Sequence, residues 1–243
     1  MRHWTALVVG ALLVLGGCSA IDDLTARRCP ESRRLVRQGA ADYVDFVRTG
    51  GVTYYNAGNL GASAGRSLRD RDLGAQVAVV RCKLAEHLPD PPQQLDGDAA
   101  FLDEGTALYA VNGYRPDFRL AARREGRLVL FEAASSARAR TWADLLDLRG
   151  KVRAIGIGRP DGDAGQEVAR IQGRRQVARL VDLLLGSPVG RRTSCGDGGS
   201  FLAFHLDDGT ATVRSYHVHF GRLDCADPLP TEFRAAIGAA LRG

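Results

Sequence analysis

Hydrophobic and polar positions along the chain change period several times, and each change predicts an element. From Trp4 to Leu15 the run "WTALVVGALLVL" carries no charge. At about 1.5 Å per residue it is roughly 18 Å long as a helix, short of a hydrocarbon core of about 30 Å. It follows the basic start Met1-Arg2-His3 and so reads as the apolar region of an export signal. In "PESRRLVRQGAADYVDFVRTGG", residues 30–51, Val36, Ala40, Tyr43 and Val47 recur at three- and four-residue steps. That spacing predicts a helix stopped by Gly50-Gly51. "VTYYNAG" and "DLGAQVAVVRCKL" turn to β-branched and aromatic residues and predict strands, the second holding Cys82. "PDPPQQLDGD" is a loop by its prolines and glycine. "GTALYAVNGY" predicts a strand running into an Asn112-Gly113 turn, and "FRLAARREGRLVLFEA" a hairpin turning at Glu125-Gly126.

Residues 134–150, "ASSARARTWADLLDLRG", form a seam of small and charged residues. Within it, Thr141 to Asp144 has capping-box spacing for a short helix. "KVRAIGIG" predicts a strand and "EVARIQ" another. Val177, Leu180, Val181, Leu184 and Leu185 then share one side of a helix over 174–185, ended by Gly186-Ser187-Pro188. "SFLAFHLDDGTATVRSYHVHF" predicts a hairpin turning at Asp208-Gly209, with Asp207 opposite Thr210, His205 opposite Thr212 and Ser200 opposite His217. A last helix begins near Thr231, with Phe233, Ile237 and Leu241 at steps of four. The expected fold class is α+β, two small modules over residues 30–133 and 151–243, each an antiparallel sheet with helices packed on it.

Leu15-Gly16-Gly17-Cys18 resembles the lipobox of bacterial lipoproteins. The resemblance implies a diacylglyceryl group on the Cys18 thiol, cleavage after residue 17, and a spacer over residues 18–29. Two acyl chains give the stable membrane anchoring that one does not. Cleavage removes Arg2 and no acid, so one charge is lost from the formal +5. The basic residues are almost all Arg and are scattered among acids, as in "RSLRDRDLG". They form no one-signed face, which argues against a nucleic-acid partner.

Four cysteines remain: Cys29, Cys82, Cys195 and Cys225. An even number in an exported chain favours two disulfides, although four cysteines permit three connectivities. Two fall in each half, so Cys29–Cys82 and Cys195–Cys225 are the economical pairs. Loops of that size would stabilise by about 3.5–4 kcal/mol each in the chain-entropy model. No C-x-x-C pair is present for a zinc ribbon or a thioredoxin-like site.

At "DGDAAFLDEGTALYAVNGYRPDFRLAARREGRLVLFEA" and again at "VARLVDLLLGSPV" and "FLAFHLDDGTATVRSY", the chain resembles uncharacterised secreted lipoproteins of actinobacteria. The resemblance implies location and a two-part build, and no activity.

Complete catalytic or metal-binding motifs are missing. His205, His217 and His219 lie close in sequence, but the expected register puts His205 and His217 on opposite faces, roughly 17 Å apart. Two imidazoles on one face do not make a metal site unaided. "DGDAGQE", residues 161–167, departs from the EF-hand loop at Gly165, Gln166 and Gln172, and "DGDAA" at 96–100 departs likewise. "GIGRPDG" at 156–162 has its third glycine one place late and Pro160 inside it. "CGDGGS" at 195–200 suits a glycine-rich connection beside a cysteine as well as an anion cradle. Neither a G-x-S-x-G elbow nor an isolated acid pair outside loops appears, Asp103-Glu104 and Asp207-Asp208 lying in expected turns. The sequence therefore predicts no catalytic residue, metal or cofactor. It predicts a non-catalytic binding or structural lipoprotein on the extracytoplasmic face of the cell membrane, its partner an envelope protein, glycan or small ligand. The alternatives are an envelope hydrolase assembled from distant residues such as His217 and His219, and a sensing module.

Overall fold

Gly50 and Gly51, expected to stop a helix, turn a β-hairpin. Their φ angles are +60° and +76°, and they join β1 (Phe46–Thr49) to β2 (Val52–Asn56) with Thr49 opposite Val52. A two-residue turn with both φ positive matches the right-handed twist of paired strands, and glycine enters it without steric cost. The computed structural model describes residues 29, 44–60, 65–86, 94–159, 166–190, 193, 195 and 199–243. The greater part of the helix expected over 30–51 lies outside these residues, and its end is strand β1.

The expected α+β class is incorrect: the fold is mostly β. Among the described residues there are thirteen strands and only two α-helices. After β2 come β3 (Leu73–Val79), β4 (Cys82–Lys83), β5 (Asp98–Ala99), β6 (Ala107–Val111), β7 (Arg119–Arg124) and β8 (Arg127–Ser136). They form one eight-stranded sheet in the order β3-β6-β7-β8-β2-β1-β5-β4, antiparallel except for β4 beside β5. β3 and β4 are its opposite edges, yet only Val80 and Arg81 separate them along the chain. Three peptide steps span at most about 10 Å, so the sheet curls until its edges meet. Val80 N–H donates to Thr106 O at 2.9 Å and Arg81 N–H to Gly97 O at 2.7 Å, so the connecting residues continue the β3–β6 ladder on one side and the β4–β5 ladder on the other.

The second sheet has the order β10-β9-β11-β12-β13, from β9 (Val152–Gly158), β10 (Glu167–Ile171), β11 (Ser200–Leu206), β12 (Ala211–His217) and β13 (Arg222–Leu223). Helix α1 (Arg174–Leu185) has its apolar side where the spacing put it, with Val177, Leu180, Val181, Leu184 and Leu185 all buried. Helix α2 (Thr231–Ala240) buries Phe233 and Ile237. The capping-box stretch makes a single 3-10 turn, Trp142–Asp144, whose Asp144 carboxylate accepts the N–H groups of Arg140 and Thr141 at 2.8 Å each.

One apolar cluster runs through both sheets: Leu108, Leu120 and Phe131 from the first, Ile155, Ile157, Leu202 and Phe204 from the second, with the buried faces of both helices. Buried polar groups cross the same boundary. Arg119 of β7 has no exposed surface; its Nε and Nη2 donate to Glu132 Oε1 at 2.9 and 2.6 Å. Its Nη1 reaches Thr210 Oγ1 and its Nη2 reaches Thr212 Oγ1, both at 2.8 Å. Tyr114 and Phe118 lie against the guanidinium, 4.5 and 5.0 Å from ring centroid to Cζ.

Candidate functional site

The β11–β12 hairpin orients the histidines, and its register differs by one residue from the expected one. Ser200 lies opposite Tyr216 and His205 opposite Ala211. The cause is a longer turn. Asp208 accepts the Thr210 N–H at 2.8 Å and the Thr210 hydroxyl at 2.7 Å, forming an Asx-type turn that absorbs one more residue. Thr210 is also drawn inward to Arg119. Burial opposes ionisation of Asp208, but the Thr210 hydroxyl and N–H and the Tyr114 hydroxyl outweigh it and hold the carboxyl below its usual range.

A one-residue slip changes which side chains share a face. His205 and His217 now lie on the same face, not on opposite ones. They are six ladder positions apart, roughly 20 Å, and each has its own neighbours.

His205, about nine-tenths buried, pairs through Nε2 with Glu167 of β10. The other Glu167 carboxylate oxygen accepts Arg170 Nε at 2.8 Å and Nη2 at 2.5 Å. The Glu167 carboxylate lies over Gly156 of β9, where any Cβ would overlap it. This trio, a carboxylate held between an imidazole and a guanidinium, was missed in the sequence. The signal available was an acid and an arginine three apart in "EVARIQ", beside a lone histidine in an apolar strand.

His217, at the end of β12, has Nε2 3.3 Å from Cys225 Sγ and 3.4 Å from Ser215 Oγ. Cys225 is paired with Cys195, Cα to Cα 5.7 Å, and Cys29 with Cys82 at 4.7 Å, each pair at disulfide distance. Both pairs are the ones that economy favoured. His219 is exposed and stacks edge-on against Phe220 at 4.9 Å between centroids. Val218 and Phe220 are also exposed, so this turn projects an apolar tip.

The remaining candidates have structural occupations or lie outside the described residues. Cys18, His87 and residues 161–165 and 196–198 lie outside. Asp96 accepts the Gly51 N–H through both oxygens at 3.0 Å, and Asp98 is buried and accepts Leu95 N–H at 2.7 Å. Asp103 pairs with Lys83 at 2.9 Å. Among the described residues no Ser, His and carboxylate are joined in one hydrogen-bonded chain: Asp224 accepts the Ser215 N–H and pairs with Arg214. No described helix is long and apolar enough to cross a membrane. No protein-family model, no curated protein and no solved structure matches this chain.

Proposed function

We propose that this chain is a lipid-anchored extracytoplasmic protein that acts without catalysis, its two sheets presenting a binding or structural surface to another envelope component. The observation that carries this reading is the pairing of all four cysteines that follow Cys18, each with one partner at disulfide distance. Such pairing suits an oxidising compartment, which is where the lipobox-like Leu15-Gly16-Gly17-Cys18 would deliver the chain. The polar interior supports the same reading. Arg119, Glu132, Thr210 and Thr212 hold one sheet to the other through hydrogen bonds that link all four. The exposed tip at Val218–Phe220 is the surface offered to an envelope protein, a glycan or a small ligand.

The hydrolase alternative has Ser215 beside His217 in its favour. Against it, the imidazole's other neighbour is a paired sulfur.

Expression of the full chain in an actinobacterial host, followed by membrane fractionation and mass spectrometry, tests the proposal. The expected result is a membrane-bound protein beginning at Cys18 with a diacylglyceryl mass, and a Cys18→Ala form that is neither cleaved there nor acylated. An intact and unmodified amino-terminal segment on the wild-type protein would overturn it.

A further inference from the structure

The two cysteine pairs sit in different chemistry. Cys29 and Cys82 are 3% and 2% exposed, inside an apolar cluster with Phe46, Leu84 and Ala100. Cys195 and Cys225 are only half-buried, so an external thiolate reaches them without unfolding the chain. Beside them stands His217, with Nε2 3.3 Å from Cys225 Sγ. One donor atom each from Cys195, His217 and Cys225 lies within 4.8 Å of the other two. Arg222, opposite His217 in the ladder, donates to Thr193 Oγ1 at 2.7 Å, and the Thr193 N–H donates to Cys225 O at 3.1 Å. A cation is therefore fixed at Thr193, two residues from Cys195 in sequence. Asp224 and Cys225 themselves have φ of +48° and +59°, the left-handed region, which a cysteine rarely adopts. Backbone held in such a region clusters at functional positions.

We propose that Cys195–Cys225 is an exchangeable disulfide, a site that takes up an external thiol covalently, while Cys29–Cys82 is a permanent brace. The incoming thiol loses its proton to solvent, and its thiolate attacks Cys195 Sγ. The S–S bond breaks and its electron pair leaves on Cys225 Sγ. A mixed disulfide forms on Cys195. The Cys225 thiolate accepts a hydrogen bond from His217 and then takes one proton, which balances the one released. With a dithiol partner, the second thiol attacks the mixed disulfide. The partner leaves oxidised by two electrons, and both cysteines are left reduced. Exchange prefers the leaving sulfur whose thiolate is better stabilised, and among the described residues Cys225 is the one of the pair with an imidazole nitrogen at hydrogen-bonding distance from its sulfur.

The full chain, acylated and held in detergent, is exposed briefly to reduced glutathione, quenched in acid, alkylated with iodoacetamide and mapped by peptide mass spectrometry. The expected product carries glutathione on Cys195 and the alkyl group on Cys225, with Cys29–Cys82 intact. In His217→Ala the adduct divides between Cys195 and Cys225, and its formation slows about tenfold, the scale of losing one charge-assisted hydrogen bond. His217→Gln, which keeps an N–H donor, restores the preference for Cys195. The proposal is overturned by an adduct chiefly on Cys225, by no adduct, by reduction of Cys29–Cys82 at the same rate, or by an unchanged product ratio in His217→Ala. Should His217→Ala fail to fold, the position of the adduct on the wild-type protein decides.

Discussion

Arg119 is a cation with no exposed surface, and its partners come from both sheets. A buried ion pair returns its desolvation cost only when its hydrogen bonds are complete, and removing one partner leaves the other charge stranded. Arg119→Met is therefore expected to destabilise by about 3–5 kcal/mol in urea unfolding, because the buried Glu132 would lose its two short guanidinium hydrogen bonds and keep only the Thr212 hydroxyl at 3.0 Å and Arg214 Nη2 at 3.7 Å. Arg119→Met combined with Glu132→Leu is expected to recover a large part of that loss, since no charge is then left unpaired. Equal losses in the single and double variants would show that the guanidinium acts through its packing on Tyr114 and Phe118 instead. A pattern of polar and apolar positions gives little hint of this network: Arg119 and Glu132 each look like one polar residue in a strand, and their threonine partners are about ninety residues away along the chain.

Single elements were legible where the chain's local chemistry decided them. The α1 face over 174–185 followed from its spacing, and the β7–β8 hairpin from Glu125-Gly126, both at positive φ. Two neighbouring signals misled for opposite reasons. Gly50-Gly51 ends a helix as readily as it turns a hairpin, and the β-branched residues on either side of it were the better guide. At Asp208-Gly209 a tight turn was correct in kind but one residue short, because the Asp208 carboxylate binds Thr210 and lengthens it. The depressed titration of Asp208 gives this turn a pH dependence. A carboxyl whose folded value lies below its unfolded one adds stability above about pH 4 and loses it as the pH falls through the folded value. Denaturant midpoints are thus expected to fall between pH 5 and pH 3, by a smaller amount in Asp208→Asn. An identical acid slope in the two proteins would remove Asp208 from the account.

Across the whole molecule, the last strand of the first sheet ends at Ser136 and the first of the second begins at Val152, with the boundary between the sheets in that interval. What composition missed is how little that boundary separates. Apolar residues of both sheets form one cluster, and Arg66 of the first part donates through Nε to Asp208 O at 2.7 Å on the second. The curl that joins β3 to β4 was equally hidden, since it depends on pairings between residues far apart in sequence. Residues 151–243 produced alone are expected to give poorly dispersed amide NMR spectra, and the full chain a single cooperative thermal transition. Two resolved transitions would instead mean that each sheet holds its own core.

Under the proposal that Cys18 carries a lipid, the Cys29–Cys82 pair has a geometric consequence. Eleven peptide steps lie between Cys18 and Cys29, and at full stretch they reach about 40 Å. Because Cys29 is paired with Cys82 of edge strand β4, such a leash would end at the rim of the curled sheet, and the body would be confined to a shallow zone above the bilayer. Cutting that staple would lengthen the leash by whatever chain follows Cys29 and let the same body reach partners standing farther from the lipid.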